Sequence, residues 1–482
     1  MRTGQTNPVE KRALLGATGG LAVKVKLLLV VHMLLAAAAN CVGRFPSETG
    51  TDFYHVWGVP AASKWHGEQL GSPYPDLKLY EGVLNQAADA SQDDHFKVAN
   101  KRRRTIDPTG TPLFYAMFWF LPRDYSAAHS IFRALQLVTF IVGVVICMSL
   151  LDYALLDGLV VASVLSVNSF TPITVDLLVG NVNAIQFFAA ALLLLLAIKH
   201  ISTGEGPGLG PAGYAFFFGL AWFTLFKPNY LPFAVLLAFY VWVRRGTWAF
   251  LKGGGVALVS TALLMAITSR YFHDGAVWTD WYNYLYGDNN LKLVAYPIEK
   301  GNLASPVVGA ALLERLFGPP RVSAYILSVV LGALCVLSVA AVLPRRAGTW
   351  RWRPSGILDA GRDLLRDPYL VANLAILITC AAAPLGWAHY HLLVLIPAFW
   401  LLLVRERWTL WSLLALLGFC LYAGNLGFVL TMAAQKWGTD AMVVYLVILR
   451  SFAWLALWIP LLVCISRQPA PVSPMEEPAG IP

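Results

Sequence analysis

Apolar runs long enough to cross a lipid bilayer recur along the whole chain of 482 residues. A segment inside a bilayer must satisfy its backbone hydrogen bonds internally, so each run is predicted to form a helix. Charged residues make up 13% of the chain, whereas about 25% is typical of soluble domains. The sequence therefore predicts an all-α polytopic membrane protein with about 12 transmembrane helices. The predicted spans are 25–43, 130–151, 157–178, 182–199, 213–227, 229–243, 250–269, 322–343, 369–384, 390–404, 409–428 and 442–464.

Two adjacent predicted spans, 213–227 and 229–243, are shorter than the ~20 residues of a straight spanning helix. They meet at the sequence FKPNYLP, where Pro228 and Pro232 interrupt helical hydrogen bonding. Non-helical backbone at membrane depth is tolerated where protein or a cavity covers it. We therefore expect two half-helices with a break between them.

Basic residues in the short loops indicate which side of the membrane each loop faces. Lysine and arginine cluster in the loops at 244–252, 345–366 and 405–407. Counting along the predicted spans puts all three loops on the same side as the basic N-terminus. Because short loops rich in Lys and Arg stay inside the cell, that side is predicted to be cytoplasmic.

The span pattern divides the chain into three parts. The first apolar run, 27–39, also has the length of a cleavable signal peptide, but the many spans that follow favour an uncleaved first helix. The apolar stretch 111–122 is too short to span and is expected to lie in the membrane interface. We predict no internal repeat and no soluble domain. The predicted parts are a cytoplasmic N-terminal segment 1–24, a transmembrane domain 25–465 with outer segments at about 44–129 and 270–321, and a disordered cytoplasmic tail 466–482.

The first candidate site follows the first span, in the sequence TDFYHVWGVP. Asp52 lies at the predicted edge of the low-dielectric layer, where a carboxylate can serve as a general base. A solvated loop residue or a helix N-cap is the alternative interpretation of Asp52. Trp57 fits either an interfacial aromatic belt, which is favoured, or a stacking surface for a sugar ring. Tyr54 and His55 are further candidate substrate contacts.

Two more candidates fall where other predicted spans end. Asn181 and Asn183, in the sequence GNVN, either cap a helix or line a polar cavity at the outer surface. Lys227 lies in an apolar stretch, where inserting a lysine costs about 2.5–3.5 kcal/mol. We predict that Lys227 balances the charge of a phosphate, with snorkelling to the interface as the alternative.

The remaining candidates lie near the outer ends of later spans. His389 and His391 either sit in the membrane interface or donate hydrogen bonds to a phosphate or a sugar hydroxyl. Their spacing of two residues does not put them on one helical face, so no metal pair is expected. Asp93 and Asp94 are interpreted as solvated loop residues, and no metal site is predicted. Asn302 precedes a predicted amphipathic helix at 305–317 and is a candidate for the same outer cavity.

Under one topology all of these groups fall on the extracytoplasmic side. An acid, a lysine, histidines and amides gathered at an outer membrane surface indicate chemistry on a lipid-anchored phosphate. A polytopic transporter or flippase is the alternative from another class, disfavoured because the chain shows no two related halves. The net charge of +9 is attributed to cytoplasmic loops, and nucleic acid is not an expected partner.

Five motifs, taken in their order and spacing, resemble glycosyltransferase family 87. They lie between residues 52 and 397 and read TDFYHVW…G…SPY, GNVN, KPNYLP, GNLASPVVGAALLERL and PLGWAHYHLLVLIP. This family of GT-C-fold membrane enzymes includes mycobacterial polyprenol-phosphate-mannose-dependent α-mannosyltransferases. The chain departs from the family pattern at DPTGTPLFY, where Tyr-Pro-Pro is frequent, and at GNVN, where Gly-Gln-x-Asn is more usual. Because of these departures, we expect a difference from the family in how the lipid chain of the donor fits or in which acceptor is used.

The resemblance implies a GT-C-type bundle with extracytoplasmic juxtamembrane helices and with Asp52 as the catalytic base. It implies direct displacement, in which Asp52 deprotonates an acceptor hydroxyl and the oxygen attacks the anomeric carbon of a sugar on a polyprenyl phosphate. The lipid phosphate leaves, and its charge would be stabilised by Lys227 and by a histidine at 389 or 391.

The resemblance also implies the partners. The expected donor is a polyprenyl-phosphate sugar carrying mannose, and the expected acceptor is a cell-envelope glycolipid or polysaccharide. The enzyme would work among the lipids of the bacterial inner (plasma) membrane, with its active site outside the cytoplasm. No cofactor is expected, since the chain has no DxD motif and no Gly-rich phosphate cradle. Another transferase of this architecture, such as a lipid-linked polysaccharide ligase, stays open.

Overall fold

The structure is a computed structural model in which every described segment is helical or a connection between helices. No strand occurs in these segments, which confirms the all-α prediction. The described residues are 26–31, 35, 50–66, 70–103, 110–202, 208–286, 304–317, 324–346, 354–383, 388–403, 409–423, 449 and 451–467.

After a described helical stretch at 26–31, four helices form what is called here the N-terminal segment, residues 50–124, which is distinct from the predicted cytoplasmic residues 1–24. Asp76 starts the second helix by accepting a hydrogen bond from the Leu79 N–H at 3.2 Å. Thr111 starts the fourth by accepting one from the Phe114 N–H at 3.1 Å. The stretch at 111–122 thus forms one short helix followed by turns. The four helices are α1 (Thr51–His66), α2 (Leu77–Ala90), α3 (Asp94–Arg103) and α4 (Pro112–Ala116).

The helices after the N-terminal segment form the bundle. The predicted amphipathic helix at 305–317 is confirmed with the same bounds. Short 3-10 helices at Pro228–Tyr230 and Ala388–Val394 interrupt the series. The bundle helices are α5 (Tyr125–Leu150), α6 (Leu155–Val164), α7 (Thr171–Val179), α8 (Asn183–Leu196), α9 (Gly210–Phe226), α10 (Leu231–Tyr271), α11 (Val277–Tyr286), α12 (Ser305–Phe317), α13 (Ala324–Arg346), α14 (Pro354–Leu365), α15 (Pro368–Ala382), α16 (Leu395–Leu403), α17 (Leu410–Ala423) and α18 (Ser451–Arg467).

Four of the described helices are long and apolar enough to cross a membrane, and the number rises to six if each of two bent pairs counts as one span. The expected count of about 12 is therefore not confirmed, because several described apolar helices are too short. The bend between α14 and α15 is 92°, so the predicted loop at 345–366 contains a helix that turns sharply away from α15. The four long spans are Tyr125–Leu150, Asn183–Ile201, Leu231–Tyr271 and Ile326–Pro344.

Helix breaks occur where the local sequence cannot continue a helix. α9 ends at Phe226 and α10 begins at Leu231, which confirms the break predicted at FKPNYLP. Inside α10, Gly246 has φ +83° and ψ 171°, which are not helical angles and divide the element into 231–245 and 247–271. The span predicted at 157–178 is bent by 63° before α7, because Pro172 has no N–H to extend the preceding helix.

Aromatic packing fastens α1 to the bundle. Phe53 contacts Tyr125 and Phe132 of α5, with ring centroids 5.4 and 5.1 Å apart. The backbone approaches even more closely at Gly180, where an added Cβ would lie 2.4 Å from the Phe53 Cβ. Gly180 also has φ +71°, a conformation that glycine adopts without strain. These contacts bring the first turn of α1 against the turn between α7 and α8.

Candidate active site

Asp52 lies in the first turn of α1 and is half-buried. Its Oδ2 accepts a hydrogen bond from the Asn181 Nδ2 at 2.7 Å. The two residues are far apart in sequence and meet because Phe53 packs on Gly180. Among the interpretations of Asp52, the structure thus excludes a freely solvated loop residue.

The turn at Gly180 holds Asn181 in place. The N–H groups of Gly180 and Asn181 both donate to the Asp176 carbonyl, at 2.9 and 3.2 Å. The Asn181 Oδ1 accepts from the Val182 N–H at 2.8 Å. Asn181 is thereby held just before the start of α8, whose first N–H groups donate to the Asp176 carboxylate instead, while its amide N–H reaches Asp52.

Lys227 joins the same cluster from the break between α9 and α10. Its Nζ donates to the Asn181 Oδ1 at 3.1 Å and to the Asn183 Oδ1 at 3.0 Å. Its backbone carbonyl accepts from the Gln186 Nε2 at 3.3 Å. Because the helix stops at Phe226, the lysine is directed across to the α7–α8 turn. Four residues chosen from the sequence, Asp52, Asn181, Asn183 and Lys227, thus form one hydrogen-bonded chain.

Asp176 is a member of this cluster that sequence analysis missed. Its side chain is fully buried in α7 and its carboxylate accepts from the Asn183 Nδ2 at 2.9 Å and from the Ala184 N–H at 3.1 Å. Gln136 of α5 donates to the same carboxylate at 3.2 Å and to the Asn181 carbonyl at 2.5 Å. An acid inside a predicted span is itself a sign of function, and Asp176 falls within 157–178.

The cluster sets two carboxylates around one ammonium group. Both Asp52 and Asp176 interact electrostatically with Lys227. Asp176 is shielded from solvent, so it depends on its hydrogen-bond donors for stabilisation. Asp52 and Lys227 keep partial exposure. The arrangement therefore offers a partly exposed base and a partly exposed cation that are joined through one residue, Asn181.

The neighbours of Asp52 on α1 take different positions. Trp57 has no exposed surface, and its indole N–H donates to the Pro122 carbonyl at 2.9 Å. Tyr54 is buried, and its hydroxyl donates to the Asn100 Oδ1 at 2.6 Å. Both side chains therefore pack α1 against the rest of the N-terminal segment, and the full burial of Trp57 contradicts its favoured interpretation as an exposed interfacial residue. His55 is half-buried with its ring edge against Tyr54.

The later candidates are only partly described. His391 is buried, with its ring centroid 5.1 Å from that of Tyr422. The 3-10 helix that carries it packs against α7 and α8, the two helices that flank Asn181. The side chain of His389, and Asn302 altogether, lie outside the described residues.

Asp93 is not the solvated loop residue that the sequence predicted, and Asp94 lies in α3 rather than in a loop. Asp93 accepts from the N–H groups of His95 and Phe96 at 2.9 and 3.1 Å, so it caps α3. It also accepts from the Ser126 N–H at 2.9 Å, which ties α3 to the start of α5. Within the described part of the chain, no group of three His, Cys, Asp or Glu side chains could hold a metal ion.

Comparison with known proteins identifies the family. The sequence model described as Glycosyltransferase family 87 matches residues 107–358, more than half of the chain. The chain belongs to glycosyltransferase family 87. It is therefore a glycosyltransferase with membrane helices, as the motifs predicted, and the transporter alternative is set aside. Neither curated proteins nor solved structures gave a match. The matched range contains Asp176, Asn181, Asn183 and Lys227, while Asp52 precedes it.

Proposed function

We propose that this family 87 enzyme transfers mannose from a polyprenyl-phosphate donor to a cell-envelope glycolipid or polysaccharide, with Asp52 as general base. The observation that carries the proposal is the hydrogen-bonded chain from Asp52 through Asn181 to Lys227. It joins a proton acceptor to a cation, the two groups that displacement of a lipid phosphate by an alcohol requires.

The reaction exchanges one bond at the anomeric carbon. Asp52 takes the proton of an acceptor hydroxyl, and the acceptor oxygen forms a bond to the anomeric carbon. The bond from that carbon to the phosphate oxygen breaks, and the polyprenyl phosphate leaves with the electron pair. Asp52 then returns its proton to solvent, which its half-exposed position allows.

Lys227 is proposed to balance the negative charge that grows on the leaving phosphate. Its ammonium group is already oriented by two amide oxygens, so little reorganisation is needed when the phosphate arrives. His391, on the 3-10 helix beside α7 and α8, is a proposed second contact to donor or acceptor, and His389 shares that segment.

The site is proposed to face the extracytoplasmic side of a bacterial inner membrane. The argument is the position of Arg244 and Arg245 in the same helix that begins beside Lys227. Some 14 residues at 1.5 Å each separate Leu231 from Arg245 by about 20 Å. Since basic loop residues stay in the cytoplasm, the opposite end, with Asp52, is assigned to the outside.

A transfer assay in proteoliposomes tests this function. The donor is radiolabelled polyprenyl-phosphate mannose, and a membrane lipid extract supplies acceptors. Asp52→Asn keeps the shape and the contact to Asn181 but cannot take a proton, and we expect transfer to fall by at least about 100-fold. Asp94→Asn is the matched control, since that acid is 93% exposed on the same segment, and should transfer normally.

Two results would contradict the proposal. Transfer by Asp52→Asn at the wild-type rate would exclude Asp52 as the general base. Transfer from a nucleotide sugar, but not from the lipid-linked sugar, would exclude a polyprenyl-phosphate sugar as the donor.

A further inference from the structure

Asp176 has no part in the displacement just described, yet its carboxylate accepts four hydrogen bonds. Its carboxylate accepts from Asn183 through both the backbone N–H, at 3.3 Å, and the side-chain Nδ2, at 2.9 Å. It also accepts from Ala184 and Gln136. The side chain is fully buried, so it acts only through the groups that it touches.

The first of these groups is the Asn183 amide. A carboxylate can only accept hydrogen bonds and an ammonium group can only donate them. Asn183 lies between one of each, so its Nδ2 must face Asp176 and its Oδ1 must face Lys227. Asp176 thereby determines the orientation of the Asn183 side-chain amide.

The same rule orients Asn181. The Asn183 Nδ2 donates its second hydrogen to the Asn181 Oδ1 at 3.0 Å, and Lys227 donates to that oxygen as well. With its oxygen occupied, Asn181 must direct its Nδ2 to Asp52. An uninterrupted chain of donors and acceptors thus runs from Asp176 to Asp52.

We propose that Asp176 is a positioning residue, which sets the orientation of both asparagines and thereby holds the Asp52 carboxylate and the Lys227 ammonium in fixed relation. The contribution of Asp176 to catalysis rests on the proposed function. Its effect on the orientation of Lys227 does not, because that orientation exists without substrate. The alternative is that Asp176 only caps α8, where it accepts from the first backbone N–H groups. A cap contributes to stability and leaves the kinetics of the folded enzyme unchanged.

The test compares Asp176→Asn with Asp367→Asn. Asp367 caps α15 by accepting from the Tyr369 and Leu370 N–H groups at 2.9 and 3.1 Å, so it matches the capping role alone. Two quantities are measured: kcat and KM for transfer, and the rate at which a water-soluble acylating reagent modifies Lys227, followed by mass spectrometry. The modification rate of Lys227 is measured without substrate. It therefore tests the role of Asp176 even if the enzyme uses no polyprenyl-phosphate sugar.

We expect Asp176→Asn to lower kcat by about 100-fold, the effect of misplacing reacting groups by ~1 Å. We also expect Lys227 to react several-fold faster, since the asparagine oxygens no longer hold it. Asp367→Asn should change neither quantity. If Asp176→Asn does not fold, Asn183→Ser breaks the chain at its next member and should speed Lys227 modification equally. Wild-type Lys227 reactivity in the folded variant, with kcat also unchanged where transfer is measurable, would overturn the inference.

Discussion

Gly180 offers the sharpest test of how the site is assembled. Gly180→Ala adds one methyl group at the point where the α7–α8 turn meets α1. The new Cβ would lie 2.4 Å from the Phe53 Cβ and 3.3 Å from two Phe53 backbone atoms. Because backbone atoms are among these neighbours, the clash cannot be relieved by a side-chain rotation alone.

Two costs follow from the substitution. The left-handed φ of +71° costs a non-glycine residue about 1–2 kcal/mol. Relief of the clash requires α1 to move away by about 1 Å, which lengthens the contact between Asp52 and Asn181, and a displacement of that size can reduce the rate of a reaction by ~100-fold. We therefore expect both a lower melting temperature and a large fall in kcat.

Gly210→Ala separates the two costs. Gly210 also has a positive φ, +60°, but an added Cβ would meet nothing within 4 Å. Thermal unfolding and sugar transfer are measured for both variants in the same detergent. The control should lose stability from backbone strain and keep its kcat. If Gly180→Ala and Gly210→Ala lose equal stability and Gly180→Ala keeps the wild-type kcat, the contact between Gly180 and Phe53 does not position Asp52, and the reasoning is refuted.

Two further predictions concern the N-terminal segment. Partial burial raises the pKa of Asp93, but hydrogen bonds donated by Ser126, Phe96 and His95 outweigh it and hold that pKa below its ordinary value. The resulting stability is present above the unfolded pKa and is lost as pH falls through the folded value. The melting temperature should therefore fall below about pH 4, and Asp93→Asn should flatten this fall; an unchanged pH profile would contradict it. Trp57→Ala should cost about 3–5 kcal/mol of unfolding free energy. Trp57→Phe should leave the donor KM unchanged, because Trp57 has no exposed surface and its indole N–H donates to the Pro122 carbonyl; a raised donor KM in the folded Phe variant would support the alternative of a stacking surface for a sugar ring.

The sequence was sufficient to predict much of the site, because its residues stand out against an apolar background. The prolines that follow Lys227 predicted a helix break, and the break is present. The amides of Asn181 and Asn183 were expected at the same surface as Asp52, and hydrogen bonds join them. In each case a polar, charged or proline residue inside an apolar stretch indicated the feature.

What the sequence could not predict depends on tertiary contacts. Asp176 belongs to the site only because α5 and α8 bring donors to it. Trp57 resembles an interfacial tryptophan in sequence, but α3 covers it, with Phe96 at 5.1 Å. Apolar composition likewise does not predict bends, so the 92° turn before α15 was missed.

The most direct test of the central claim, that Asp52 and Lys227 work as parts of one site, is a double-mutant cycle on transfer. Asp52→Asn, Lys227→Met and the double variant are compared by kcat/KM with polyprenyl-phosphate mannose. Groups that act as a unit show non-additive losses, so the double variant should be little worse than Asp52→Asn alone. Losses that simply multiply would mean that the two residues act independently, and would contradict the account.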